Sequence, residues 1–157
     1  MIKFWRYVGF APVLLIVDQL FKNWAYHSLR GQTNFFVFGR FFALEFYANP
    51  GIAFGIALPP WLFYLAFGMI ICVIAYLAWH YFTQKQATAL LALSFVFTGA
   101  LSNLIDRLRL GYVIDYLNLA FWPVFNLADV LIVAGVAVLL WQAFQASRPP
   151  QSSRPKA

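Results

Sequence analysis

Asp115 and Asp129 are the side chains in this sequence that packing explains least well. They lie in the stretch Gly99 to Val130, GALSNLIDRLRLGYVIDYLNLAFWPVFNLADV, which holds three of the five acidic residues of the 157-residue chain. An ionisable group inside or beside a bilayer is costly to keep, so each of the three is a candidate for function or for a specific partner. Asp106 has basic neighbours in Arg107 and Arg109, whereas Asp115 and Asp129 have none. If the loop carrying Asp115 folds back over the start of the following helix, the two carboxyl groups meet. Carboxyls in contact cannot both ionise easily, so they share a proton and their titrations separate. The ionised partner can draw a proton from water while the protonated one polarises a carbonyl and later protonates a leaving amine. That is aspartic-protease chemistry and needs no metal, cofactor or covalent intermediate. Proton relays in transporters use the same residue type, so two aspartates alone leave both readings open.

Several nearby residues have both a structural and a functional explanation. Asn126 followed by Asp129 has the spacing of a helix-capping box, which by itself accounts for a carboxylate in a first helical turn. Ala128 lies between them. Gly99, Asn103 and Arg107 are spaced by four and share one face of a helix. Gly99 suits close backbone approach, whereas Asn103 and Arg107 offer donors where water is scarce. Asp18 and Lys22 are four apart with the acid first, the favourable order for a helical ion pair.

The elements that must position these residues are those of a membrane protein. The chain is 63% hydrophobic, 20% aromatic and only 10% charged, well outside the usual soluble range. Its net charge of +6 comes from basic residues scattered through apolar sequence, without the stripe that nucleic-acid binding uses, so no nucleic acid is expected as a partner. The lone Cys72 has no partner for an internal disulfide and is assigned to ordinary packing. A basic start before an apolar run resembles a signal peptide, but Asp18, Gln19 and Lys22 fall where a cleavage site would be, so an uncleaved helix is expected at about 7–27. Further helices are expected at about 61–79, between interfacial tryptophans, and at 88–107 and 127–144. Between the first two helices, residues 30–58 are rich in phenylalanine and punctuated by Gly31, Gly39 and Asn49-Pro50-Gly51, which suggests two short strands and a hairpin at the membrane surface. The fold class expected is mainly α: four transmembrane helices with a small β-rich surface segment, forming one domain over 1–146. The tail, 147–157, is expected to be a disordered basic segment.

Five motifs then carry a resemblance: Asp18-Gln19-Leu20-Phe21-Lys22, Asn49-Pro50-Gly51-Ile52-Ala53-Phe54, Gly99-Ala100-Leu101-Ser102-Asn103-Leu104-Ile105-Asp106-Arg107, Val113-Ile114-Asp115-Tyr116 and Phe125-Asn126-Leu127-Ala128-Asp129. In order and approximate spacing they resemble the motifs of the bacterial lipoprotein signal peptidases, or signal peptidase II family. The resemblance implies an aspartic endopeptidase of the bacterial inner membrane that acts on lipid-modified prolipoprotein signal peptides, cutting just before a diacylglyceryl-bearing cysteine. It implies cytoplasmic termini and a site near the extracytoplasmic surface; a monomer in contact with membrane lipids, without a cofactor, is expected. Position by position, Asp115 and Asp129 would be the catalytic dyad. Asn49, Gly51, Asn103, Arg107, Asn126 and Ala128 would line or brace the substrate site, with Asp18, Lys22 and Gly99 as structural support. Three features depart from the family pattern: Ser102 replaces the usual glycine before Asn103, Phe21 replaces a common small hydroxyl residue, and the connection between the aspartates is short. The alternatives are a catalytically impaired homologue that binds lipidated signal peptides and a small proton-coupled transporter, which the missing internal repeat disfavours.

Overall fold

The computed structural model describes residues 9–32, 35–39, 41–51 and 59–147. Four helices and a three-stranded sheet follow in the order α1 (Phe10–Ser28), β1 (Phe35–Phe38), β2 (Phe42–Asn49), α2 (Pro60–Thr83), α3 (Ala87–Leu110), β3 (Val113–Leu119) and α4 (Leu127–Ala146). The basic tail from 148 onward, Asn34, Arg40 and the Ile52-Ala53-Phe54 portion of the second motif lie outside the described residues.

Among the described residues, three helices, not four, are long and apolar enough to cross a membrane by length and composition: α2, α3 and α4. The fourth span expected from the sequence, α1, falls short because Asp18, Gln19, Lys22, Asn23 and His27 interrupt its apolar run. Two of those residues, Asp18 and Lys22, are buried. The charged pair of α1 therefore faces the protein, whereas Asn23 and His27 are exposed.

Helix α2 opens with Pro60 in its first turn, where a missing N–H costs nothing, and contains no buried residue. Cys72, expected in ordinary packing, is exposed on it. Helix α3 stops at Gly111, whose φ of 81° is left-handed and whose N–H closes on the Arg107 carbonyl. A side chain there would be strained, and the glycine lets the chain turn straight into β3.

Helices α3 and α4 pack with almost no space between their backbones. A Cβ on Gly99 would stand 2.3 Å from the Ala128 carbonyl oxygen, and one on Gly135 would stand 2.5 Å from that of Ala92. Small residues at such crossings are what allow membrane helices to approach closely.

The sheet is antiparallel in the order β1-β2-β3. The segment that carries Asp115, expected as a loop, is instead the third strand, joined to the hairpin expected within residues 30–58. In its register Tyr47 opposes Asp115 and Asn49 opposes Val113, which makes Asn49 a diagonal neighbour of Asp115 on the same face. After β3 the chain turns back, and Phe125 pairs with Leu117 through backbone hydrogen bonds of 2.8–3.0 Å. This return lays Asn126 and the start of α4 beside Asp115.

The centre of the fold is polar. The largest fully buried side chains are Lys22, Asn126, Asp18, Asp106, Asp115 and Ser102, while a small apolar cluster of Ala25, Leu29, Ile114 and Tyr116 lies beside them. Phe21, at the position where the family pattern favours a small hydroxyl, stacks on Tyr116 with ring centroids 5.8 Å apart.

Candidate active site

Asp115 and Asp129 line one cavity of about 400 Å³, with Asn49, Asn103 and Arg107 completing its polar part. That volume falls in the range of sites for small molecules or peptide segments. Its remaining lining is apolar and comes from α2 (Phe63, Phe67), α3 (Ala100, Leu104), the β3–α4 connection (Trp122 to Phe125) and α4 (Ile132, Val133).

One residue joins the two carboxyls. Asn126 Nδ2 donates to Asp115 Oδ1 at 2.6 Å, while the Asn126 backbone N–H donates to Asp129 Oδ2 at 3.2 Å. In return, Asn126 Oδ1 accepts from the Asp129 backbone N–H at 2.9 Å. The capping box read from the sequence is therefore present, and it does not compete with a place in the site. Asp129 uses one carboxylate oxygen as a cap and presents the other to Asn103 Nδ2 at 2.8 Å.

Asp115 is 1% exposed and receives a second amide, from Asn49 Nδ2 at 2.9 Å. Burial raises its pKa to about 7; the amides of Asn49 and Asn126 pull the other way, and the charge of Asp129 adds to the rise. Its neighbour Tyr116 is also pushed upward, first by burial and then by the charge of Asp18.

The bracing residues form a second layer. Gly51 donates its N–H to Asn49 Oδ1 at 3.0 Å, and its carbonyl accepts from Arg107 Nη2. The Arg107 guanidinium sits 4.6 Å above the Phe63 ring. Arg107 thus ties the 49–51 turn to α2 and α3 and keeps the Asn49 amide aimed at Asp115. Ala128 is fully buried, and its N–H donates to Asp18 Oδ1 at 3.2 Å. Gly99 faces the Ala128 carbonyl and sets the distance between α3 and α4 at the level of Asp129.

The basic neighbours of Asp106 are not its partners. Its carboxylate pairs with Lys22 at 3.0 Å and accepts the Ile114 N–H at 3.1 Å, while Arg107 turns away to Gly51 and Phe63. Lys22 also pairs with Asp18 at 3.1 Å, the four-residue spacing expected on α1. Two contributors were not picked out by sequence reasoning, Gln19, which donates to Ser102 and Asp106, and Tyr116, which donates to Asp18 at 3.0 Å, and Asp106 was noticed but assigned the wrong partners. A third intramembrane acid was the available signal for Asp106; nothing in the local sequence marked the tyrosine. Among the described residues, no group of three or more His, Cys, Asp or Glu side chains could hold a metal ion.

Residues 10–145 match the family model described as signal peptidase (SPase) II. The chain is 40% identical over 132 residues to a lipoprotein signal peptidase of Moorella thermoacetica, covering 84% of this chain and 88% of that one. It is 33% identical over 161 residues to one of Psychromonas ingrahamii, covering 96% and 91%. A solved structure, a bacterial membrane enzyme obtained by the in meso method at 2.3 Å resolution, superposes with a TM-score of 0.80 at 25% identity, covering 96% of this chain and 94% of that one. These matches establish that the chain belongs to the bacterial signal peptidase II family.

Proposed function

We propose that Asp115 and Asp129 are the catalytic dyad of an aspartic endopeptidase that removes signal peptides from prolipoproteins, cutting before a diacylglyceryl-modified cysteine. The observation that carries this reading is the shared cavity: both carboxyls line it, and Asn126 bonds to both. A pKa near 7 suits Asp115 to begin as the protonated partner that polarises the scissile carbonyl. Asp129, at the start of α4 where the helix favours negative charge, is then the ionised partner that takes a proton from water. As the tetrahedral intermediate collapses, a carboxyl proton passes to the departing nitrogen.

The apolar walls supplied by α2, α3 and α4 suit a substrate that arrives from the lipid with acyl chains attached. On this reading α1 is the fourth span, its charges sheltered by α3 and the sheet. Both termini are cytoplasmic, the dyad lies near the extracytoplasmic surface, and the enzyme works as a monomer without a cofactor. Residues 1–146 would form the single peptidase domain.

Changing Asp115 or Asp129 to Asn tests the proposal. Each variant should melt as a folded protein in lipid yet leave a diacylglyceryl-modified prolipoprotein uncut. Wild-type cleavage by either one refutes the dyad.

A further inference from the structure

Behind the dyad lies a charged cluster that the reaction as described does not use. Asp18, Lys22, Ser102 and Asp106 are at most 2% exposed, and Lys22 is the centre of the group. Its Nζ lies 3.1 Å from Asp18 Oδ2 and 3.0 Å from Asp106 Oδ2, and donates to Asn103 Oδ1 at 2.8 Å. An ammonium has three N–H donors, and these three acceptors are the nearest to it, with Ser102 Oγ further off at 3.4 Å.

The contact with Asn103 reaches the site. Asn103 Oδ1 also accepts from Asn126 Nδ2 at 3.2 Å, so donors approach this oxygen from two sides. The amide cannot flip without facing its own NH2 against an ammonium and a second amide. Its Nδ2 is thereby committed to Asp129 Oδ1. A cation on the oxygen of an amide also strengthens the N–H at its other end. Asp115 has no equivalent, because its donors Asn49 and Asn126 hold their own oxygens against the backbone N–H groups of Gly51 and Asp129.

We propose that Lys22 is a positioning residue of the dyad: through Asn103 it orients and polarises the donor on Asp129, and so determines which carboxyl begins the cycle ionised. This rests on the dyad assignment above. The charged and titratable groups around Asp129 are Asp18 and Lys22 from α1, Asp106 and Arg107 from α3, and Asp115 and Tyr116 from β3. Of the two cations, Arg107 engages Gly51 and Phe63, whereas Lys22 has the hydrogen-bonded path to Asp129.

The test is the pH–rate profile for cleavage of a diacylglyceryl-modified prolipoprotein in lipid nanodiscs by wild type, Lys22→Met, Asn103→Ala and the double variant. Lys22→Met should move the acidic limb upward by about one pH unit, the low end of what loss of a nearby opposite charge does, and move the alkaline limb less, because Lys22 acts on Asp115 by charge alone, without a hydrogen-bonded path. The double variant should be no slower than Asn103→Ala alone, because the lysine acts through the amide. A uniform loss at every pH, or effects that add, would overturn the proposal. Should Lys22→Met not fold, Lys22→Met with Asp106→Asn keeps the formal charge of the cluster and should shift the acidic limb in the same direction by less. Asp129→Asn, run alongside, separates the two levels. Wild-type activity there ends the dyad reading, whereas an inactive Asp129→Asn beside an unshifted Lys22→Met profile ends only the role of Lys22.

Discussion

Replacing Gly99 with alanine should uncouple the site from the fold more cleanly than any change at the carboxyls. The added Cβ would lie 2.3 Å from the Ala128 carbonyl oxygen and 2.8 Å from Ile132 Cγ1. The isoleucine side chain can rotate away, but the carbonyl is fixed in α4. Ordinary contact begins near 3.4 Å, so α3 and α4 must part by about 1 Å beside Asp129. Overpacking of this kind costs ~1–3 kcal/mol, and alanine recovers ~1 kcal/mol through its higher helix propensity. The net loss should be about 0–2 kcal/mol, a fall of at most a few degrees in melting temperature. A displacement of about 1 Å at reacting groups costs on the order of 100-fold in rate. Gly135→Ala is the control, because its Cβ would meet the Ala92 carbonyl oxygen at 2.5 Å but sits two turns further along α4, roughly 10 Å from Ala128. It should destabilise by a similar amount and slow cleavage less than tenfold. Melting curves in nanodiscs and gel-based cleavage of a lipid-modified prolipoprotein measure both effects. Equal rate losses in the two variants, or wild-type cleavage by Gly99→Ala, would refute the idea that this crossing sets the position of Asp129.

Two further predictions follow from the hydrogen bonds and the titration. Asn126→Ala removes both the cap of α4 and the link between the carboxyls, so it should cost about 1 kcal/mol of stability and more than tenfold in rate. Asn126→Ser should restore the cap and the stability but not the rate, and equal recovery of both would mean that Asn126 matters only as a cap. The pKa of Asp115 is raised from an ordinary 3.8 to about 7, so as pH rises the unfolded chain releases this proton before the folded one does. Its contribution is therefore fully present below about pH 4 and declines by roughly 4 kcal/mol at most on the way to pH 7. Asp115→Asn should flatten that part of the stability curve measured from pH 4 to 8; an unchanged slope would place the titration elsewhere.

Much of the site was legible before any coordinates because charged groups in apolar sequence stand out. Asp115, Asp129, Asn103 and Arg107 were marked by the cost of keeping them, and Asn126 by its spacing from Asp129. What was hidden depended on pairing across the chain. The Val113–Leu119 strand was read as a loop because its first four residues are all buried, which erases the alternation that marks a half-exposed strand. The partner of Asp106 was misjudged because adjacent residues on a helix point in different directions, and Lys22, 84 positions away, is nearer in space than Arg107. Ser102 departs from the glycine of the family pattern. Its hydroxyl donates to Asp18 Oδ2, accepts from Gln19 Nε2 at 2.9 Å and lies 3.4 Å from Lys22 Nζ. The departure from glycine thus adds a polar contact to the buried cluster. The charges of α1 were visible, but only the fold shows that they turn inward.

The most direct measurement of whether Asp115 and Asp129 activate water, rather than attack the peptide themselves, is a single turnover in H2(18)O followed by mass spectrometry of both product and enzyme. The dyad requires the heavy oxygen to appear in the new carboxyl terminus of the released signal peptide, with both aspartate side chains unlabelled. Label in the side chain of Asp115 or Asp129 would reveal a covalent acyl-enzyme and contradict it.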